Sequence, residues 1–528
     1  MLTLIRRIFL TMILLTISLR VNGSTSKHLP IEKSWEEICS ISKNAVFQIF
    51  SSVVEYDLNE PYKSPERCIG CGTGFCIDPL GLVVTNYHVI ANAISIFAQL
   101  PALGKEKFEL TLVGTCPSKD VALLRFTDDS IIKICKQLNV KNLPYLVLGD
   151  SDNLHEAQEL MTLGYPLGLE NLKCSLGHNS GREIFFGFEC IQTTASTNPG
   201  NSGGPFFNDH GNVIGIHKGS YSDAKGMAYL IPISTLIVIL EELKNSPLIR
   251  LPEWGAEVNS TNNELLNLLA CPHDGGVYVY NVKNKSVAEK AGIKKGDIIF
   301  ALNNKAIDYD GFITSLNDSG KTFFTEIIYR QPMKTKTVLS ICRNGTTLDI
   351  PITLYPADRL AIDYIYPCID QLPECEVIGG LVITEICMQH IDHIKKYATN
   401  YGDFTTALAA CKYDKFENRQ QGRVGVTSII PYSEAFRSNC FNNAPITFLK
   451  KINGQEVFTI NDVRQAILSG CEQPNLIIEA DDGKLMVLSV QKIIAETPQL
   501  IQHYGIPLSP FIENLAQQLN HQLQGKEA

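Results

Sequence analysis

Three residues of the types that together perform acyl transfer occur in this chain in a defined order. Ser202 stands in the run Asn198-Pro199-Gly200-Asn201-Ser202-Gly203-Gly204-Pro205. A serine hydroxyl is a weak nucleophile at neutral pH, so it needs a base and a group that orients the base. It also needs backbone N–H donors aimed at the oxyanion that develops during attack. The glycines permit a tight anion-binding turn, which makes the N–H groups of Gly200, Asn201 and Ser202 candidate donors. Taken alone, such a run also fits an ordinary surface turn.

His88, in Thr85-Asn86-Tyr87-His88-Val89-Ile90, follows an apolar run. Asp120, in Ser118-Lys119-Asp120-Val121-Ala122-Leu123-Leu124, precedes another. Singly, the first reads as a structural histidine and the second as a turn cap. Together the three residues follow the chain order His, Asp, Ser of the chymotrypsin arrangement, which neither subtilisin nor the α/β-hydrolases share. The spacings of 32 and 82 residues place base and acid in one barrel and the nucleophile in the next.

The elements that must position these residues read as β-structure. From about 44 to 245 the chain shows short β-like runs, such as Gly81-Leu82-Val83-Val84-Thr85-Asn86 and Asn212-Val213-Ile214-Gly215-Ile216, separated by turn residues. That spacing predicts a sandwich or barrel. A helix is expected after Pro232, capped near Ser234. A second unit, 255–357, holds the strand Gly276–Val282 and a short helix closed by Gly292. A third, 377–492, repeats part of that grammar, with an Asn453-Gly454 turn and a capped helix over Asn461–Leu468. The second and third units read as a diverged pair. Residues 24–43 form an N-terminal segment, and 493–528 form the C-terminal tail, polar and helix-compatible after 509.

At 528 residues the chain is too long for one core. Its charged fraction of 19% and apolar fraction of 45% are those of a globular protein. With a net charge of −9 and no basic run after the first 25 residues, it carries no nucleic-acid footprint. Arg6 and Arg7 precede the apolar run Ile8–Leu19, and Val21-Asn22-Gly23 follows. Residues 1–23 therefore read as a signal peptide, which predicts an exported protein, periplasmic or secreted. The alternative, an uncleaved anchor, is disfavoured by a run shorter than the ~20 residues a span needs. No integral membrane domain is expected after cleavage. Of the 16 cysteines, Cys68, Cys71 and Cys76 form the one tight cluster, and a disulfide there is favoured over zinc. His390 and His393 share a predicted helix without partners for a metal site, and no cofactor or metal is expected.

The segments around His88, Asp120 and Ser202, with Leu148-Gly149-Asp150-Ser151 and Gly164-Tyr165-Pro166-Leu167-Gly168 between them, resemble the HtrA/Deg family of serine proteases. Gly276–Ile307 resembles the PDZ domain that follows in that family, and the third unit resembles the second PDZ domain of its plant-type Deg branch. The resemblance implies a mainly β fold: a chymotrypsin-like double β-barrel protease domain and two α+β PDZ-like domains. It also implies ATP-independent cleavage of unfolded or damaged proteins, and a homo-oligomer built from trimers. A chaperone or PDZ scaffold with little or no proteolysis is the alternative.

Several residues depart from the family pattern. Thr193-Thr194-Ala195-Ser196 lacks the acidic residue found before the nucleophile loop. The peptide-capturing loop, expected at Asp274-Gly275-Gly276-Val277, has glycine where a hydrophobic residue is usual, whereas Arg423-Val424-Gly425-Val426 fits that pattern better or is an ordinary strand. His217 is a candidate substrate contact or a bystander. Gly219-Ser220-Tyr221-Ser222 and Tyr229 suggest a pocket for small or medium apolar side chains.

Overall fold

The fold is that of a computed structural model, which describes residues 33–185, 188–220, 226–314, 321–401, 404–441, 445–470, 473–506, 511–515 and 517. The expected signal peptide, the end of the C-terminal tail from 518, and Tyr221 and Ser222 of the expected pocket lie outside them. Among the described residues no helix is long and apolar enough to cross a membrane.

Two closed six-stranded antiparallel barrels come first. Strands β1 (Val46–Glu55), β2 (Glu66–Cys76), β3 (Leu82–Thr85), β4 (Ala93–Gln99), β5 (Lys107–Cys116) and β6 (Val121–Phe126) close in the order β1-β2-β3-β6-β5-β4. Strands β7 (Glu159–Gly164), β8 (Lys173–Phe185), β9 (Phe188–Thr193), β10 (Pro205–Phe207), β11 (Val213–Ser220) and β12 (Ala228–Pro232) close as β10-β11-β12-β9-β8-β7. Short strands rich in Val, Ile, Leu and Phe suit a barrel, since closure removes every exposed edge. The helix Ile233–Asn245 buries Leu236, Ile239 and Leu243 against the barrels. It begins at Ile233 without a side-chain cap, because the Ser234 N–H and hydroxyl are both bonded to Ser151 Oγ instead.

The second unit is a sheet ordered β13 (Ala256–Ser260), β14 (Val277–Val282), β15 (Ile298–Leu302), β19 (Lys336–Arg343), β20 (Thr346–Thr353). Strand β16 (Lys305–Ala306) pairs with β15, and β17 (Phe312–Thr314) with β18 (Lys321–Phe323). Gly292, at φ 85°, closes the short helix Val287–Ala291 as its sequence predicts. The third unit is a sheet ordered β21 (Cys375–Ile378), β22 (Leu381–Glu385), β23 (Val424–Ile429), β24 (Thr447–Ile452), β26 (Asn475–Ala480), β27 (Leu485–Ser489), with β25 (Gln455–Glu456) paired to β24. Asn453 and Gly454 both have positive φ, as a tight hairpin turn between β24 and β25 requires. The helix that follows, Ile460–Ser469, is capped by Thr459, whose hydroxyl and Asp462 exchange bonds with each other's backbone.

The expected disulfide in the Cys68 cluster is not present, and all described cysteines are free thiols. Cys68 and Cys71 lie three apart on β2, so their side chains point to opposite faces of the strand and cannot meet. Cys76 is buried at its far end.

The units touch at defined points. The tip of the β1–β2 hairpin reaches the third unit: Thr427 Oγ1 donates to the Asn59 carbonyl at 2.6 Å and His390 Nε2 to the Leu58 carbonyl at 2.8 Å. Tyr62 of that tip packs among Val382, Ile430, Leu500 and Ile506. On the other side, Arg330 of the second unit pairs with Glu189 on β9, which Arg182 also holds at 2.8 Å.

Candidate active site

Strand β3, buried along its length, delivers Asn86 to the start of a one-turn helix, Tyr87–Ile90, that carries His88. Asp120 closes the 3-10 turn Pro117–Lys119 in a left-handed conformation, φ 55° and ψ 41°, which Asp tolerates better than most side chains. This twist turns both ends of Asp120 toward the helix. Its carbonyl accepts from Tyr87 N–H at 3.2 Å and Asn86 Nδ2 at 3.0 Å. Its carboxylate accepts His88 N–H on Oδ1 at 2.9 Å and faces His88 Nδ1 from Oδ2 at 2.8 Å. A carboxylate only accepts, so the proton sits on Nδ1 and leaves Nε2 as an acceptor. The acid is covered, at 12% side-chain exposure, while the imidazole is open at 47%.

The Ser202 loop is laid against the same corner. A Cβ at Gly203, where φ is 84°, would overlap the Thr73 carbonyl oxygen and Thr85 Oγ1 and would meet Asn86 N at 3.1 Å. Only glycine brings the loop that close. Gly72 sits between Val89 and the Ser202 carbonyl in the same way. Gly203 N–H donates to the His217 carbonyl at 2.9 Å, and Gly204 N–H to Asn201 at 2.9 Å. Asn201 N–H is spent on the Asn198 carbonyl at 3.1 Å. This removes it from the three expected donors and leaves Gly200 and Ser202 N–H without a backbone partner among the described residues. Nor does the Ser202 hydroxyl bond to His88 among the described residues; such bonds often tighten only when substrate binds.

Thr73, which the sequence reading did not single out, anchors this loop. Its N–H donates to the Ser202 carbonyl at 2.8 Å and its hydroxyl to the Gly200 carbonyl at 2.7 Å, while that hydroxyl accepts Tyr165 N–H at 3.1 Å. Its own carbonyl accepts the Thr85 hydroxyl at 2.8 Å. The one available sequence signal was its setting, Gly72-Thr73-Gly74, a polar residue between glycines inside a strand.

The site thus couples a base with a free ring nitrogen, a buried acid that fixes its tautomer, a serine, and backbone donors. Such a set can pass a proton from a hydroxyl to Nε2 and stabilise a tetrahedral oxyanion. A trypsin-like peptidase domain model matches residues 72–216, and PDZ domain models match 254–354 and 366–510. The chain thus carries a trypsin-like peptidase domain followed by two PDZ domains. A "probable periplasmic serine endoprotease DegP-like" of Marinomonas sp. (strain MWYL1) is 31% identical over 276 residues, covering 51% of this chain and 55% of that protein. One of the same description from Rickettsia prowazekii (strain Madrid E) is 29% identical over 347 residues, 63% of each chain. The chain therefore matches less than two thirds of the length of these relatives. The solved "HtrA-type protease AlgW with tripeptide" aligns to 62% of this chain and 99% of its own, at 24% identity and a TM-score of 0.47.

Within the peptidase and PDZ domains, other candidates resolve differently. His217 is 2% exposed, with neither ring nitrogen hydrogen-bonded among the described residues, and its ring lies 6.1 Å from Phe206. Burial, with a smaller contribution from His88, lowers its pKa to about 3, so it is a neutral, packed imidazole and not a cleft residue. Tyr229 is stacked on Phe185 at 3.9 Å and is itself buried among the described residues. His390 accepts Cys387 N–H on Nδ1 at 3.1 Å, which leaves Nε2 as the donor to Leu58; it is a structural clasp.

The expected peptide-capturing loop of the second unit leads into a strand with no free edge, and Arg423–Val426 takes the ordinary-strand alternative. Val277 opens β14, which is paired on one side with β13 and on the other with β15. Val424 opens β23, which lies between β22 and β24. A peptide that adds as a strand needs a free edge, and these strands have none. In the second unit the sheet ends in β20 on one side and, on the other, in β13. The turn before it is occupied from within, since Trp254 N–H donates to Tyr329 Oη at 2.8 Å and Tyr329 donates to the Pro252 carbonyl at 3.1 Å.

Proposed function

We propose that this chain is an exported serine endopeptidase that cleaves unfolded or damaged proteins by ATP-independent acyl transfer. The observation that carries this reading is the double contact of Asp120 with His88, beside a serine loop pinned by Thr73. Ser202 Oγ attacks the substrate carbonyl carbon while His88 Nε2 takes its proton. Asp120 keeps the imidazole in the required tautomer and balances the imidazolium. The new oxyanion is met by Gly200 and Ser202 N–H. His88 then protonates the leaving amine, and water, deprotonated by the same nitrogen, releases the acyl group from Ser202.

Substrate class, export and assembly from trimers extend from the family resemblance and from the relatives described as periplasmic. The test is cleavage of casein and labelling by a serine-reactive phosphonate, in wild type and Ser202→Ala. Labelling and cleavage lost together in the variant are expected. Wild-type protein that neither cleaves nor labels, yet suppresses aggregation of an unfolded protein, would overturn this reading in favour of a chaperone. Light scattering of the purified protein tests the oligomer.

A further inference from the structure

The Asp120 carboxylate faces a second nitrogen besides that of His88. Lys218, on β11, places its Nζ 3.9 Å from Oδ2, the oxygen that also holds His88 Nδ1. Its side chain is 9% exposed, and its ammonium group lies on the Phe188 ring, 3.9 Å from the centroid. A lysine so enclosed is held by the acid and the ring face together. We propose that Lys218 is a positioning residue for the Asp120–His88 pair, and that its charge extends the working range of the site toward acid. This rests on the reading of His88 as the base.

The argument is electrostatic. A carboxylate alone favours the protonated imidazole, which has no free Nε2 lone pair and is useless as a base. A cation on the same oxygen offsets part of that attraction, so the neutral ring persists at lower pH. The other groups facing the pair do not reverse this. Lys119, from the turn before Asp120, adds positive charge and is 4.0 Å from Glu326, an acid of the second unit that partly balances it. On β9, the Cys190 thiol is pushed up to about 12 by burial and stays neutral. His217 on β11 is neutral, and the Tyr87 phenol is raised by burial and then by Tyr366, Cys368, Asp370 and Asp120. Burial lowers the pKa of Lys218 itself, against the opposing pull of Asp120.

The test compares wild type, Lys218→Met and Lys218→Arg as full chains, in two readouts. The first is the acid limb of kcat/KM against pH. The second is the downfield proton resonance of the His88 Nδ1–H, assigned by its loss in His88→Gln, which titrates whether or not Ser202 reacts. Methionine keeps the stem over Phe188 and removes the charge. The expected result is a rise of about one pH unit in both midpoints for Lys218→Met, from loss of one nearby charge, with Lys218→Arg like wild type. Unmoved midpoints in Lys218→Met would overturn the proposal. Should that variant not fold, Lys218→Gln is judged by the same outcomes. If wild type neither cleaves nor labels, the serine-protease reading fails, and the resonance still decides the Lys218 proposal.

Discussion

The Thr73 hydroxyl donates to the Gly200 carbonyl at 2.7 Å, joining a strand of the first barrel to the serine loop of the second. The same hydroxyl accepts Tyr165 N–H, so one oxygen fixes two segments across the barrel interface. Thr73→Val keeps the shape and strands both partners without a bond, at about 1–3 kcal/mol for a buried polar group. We expect kcat to fall about 10–100-fold with KM little changed, since a loosened donor array is felt most in the transition state. Thr73→Ser should restore most of it. Peptide hydrolysis kinetics and the rate of phosphonate labelling provide the measurement.

Asp120→Asn should be more severe. Both carboxylate oxygens accept from His88, and an amide can accept on only one. The ring would be driven toward the other tautomer, and a loss on the order of 10⁴ in kcat is expected from triads of this kind. Folding, followed by circular dichroism, should be far less affected.

Stability should fall in mild acid. The folded-state pKa of His217 is depressed to about 3 by burial, and that of His390 is lowered by the same cause. A depressed histidine adds stability above its unfolded value, near 6.5, and loses it as pH drops toward the folded value. Urea midpoints should therefore decline from pH 7 to pH 5. His217→Phe, which keeps a ring against Phe206 and removes two unbonded nitrogens, should flatten that decline.

Thiol labelling should sort the cysteines by access. Cys68, Cys71, Cys174, Cys368 and Cys411 are exposed and should react with iodoacetamide in the native protein before the buried thiols. Cys76 and Cys190, both buried and pushed up to about 12, should react only on unfolding. Peptide mass mapping at timed intervals reads the order.

The barrels, the two smaller sheets and the pairing of His88 with Asp120 were legible because each rests on local signals. Short apolar runs mark β3 and β6, Gly292 marks a helix end, and His88 and Asp120 flank their strands directly. What escaped depends on pairing between distant segments. Whether β14 or β13 is the free edge is decided by sheet order, which no run of residues displays. Thr73 and Lys218 matter only through oxygens that arrive from elsewhere in the chain. The Cys68 cluster misled because proximity along a strand is not proximity of side chains.

The hairpin tip clasped by the third unit gives the serine loop an anchorage remote from it. Strand β2 runs unbroken from Glu66, near that tip, to Cys76, a span of about 35 Å at strand rise, and Thr73 lies along it. Thr427 and His390 hold Asn59 and Leu58, in the loop that leads into its outer end, while Thr73 nearer its inner end meets Ser202 and Gly200. The strand is the covalent link between the two. A deletion of the third unit would free the outer end and uncover Tyr62, so a shortened chain is a different machine and not a smaller one.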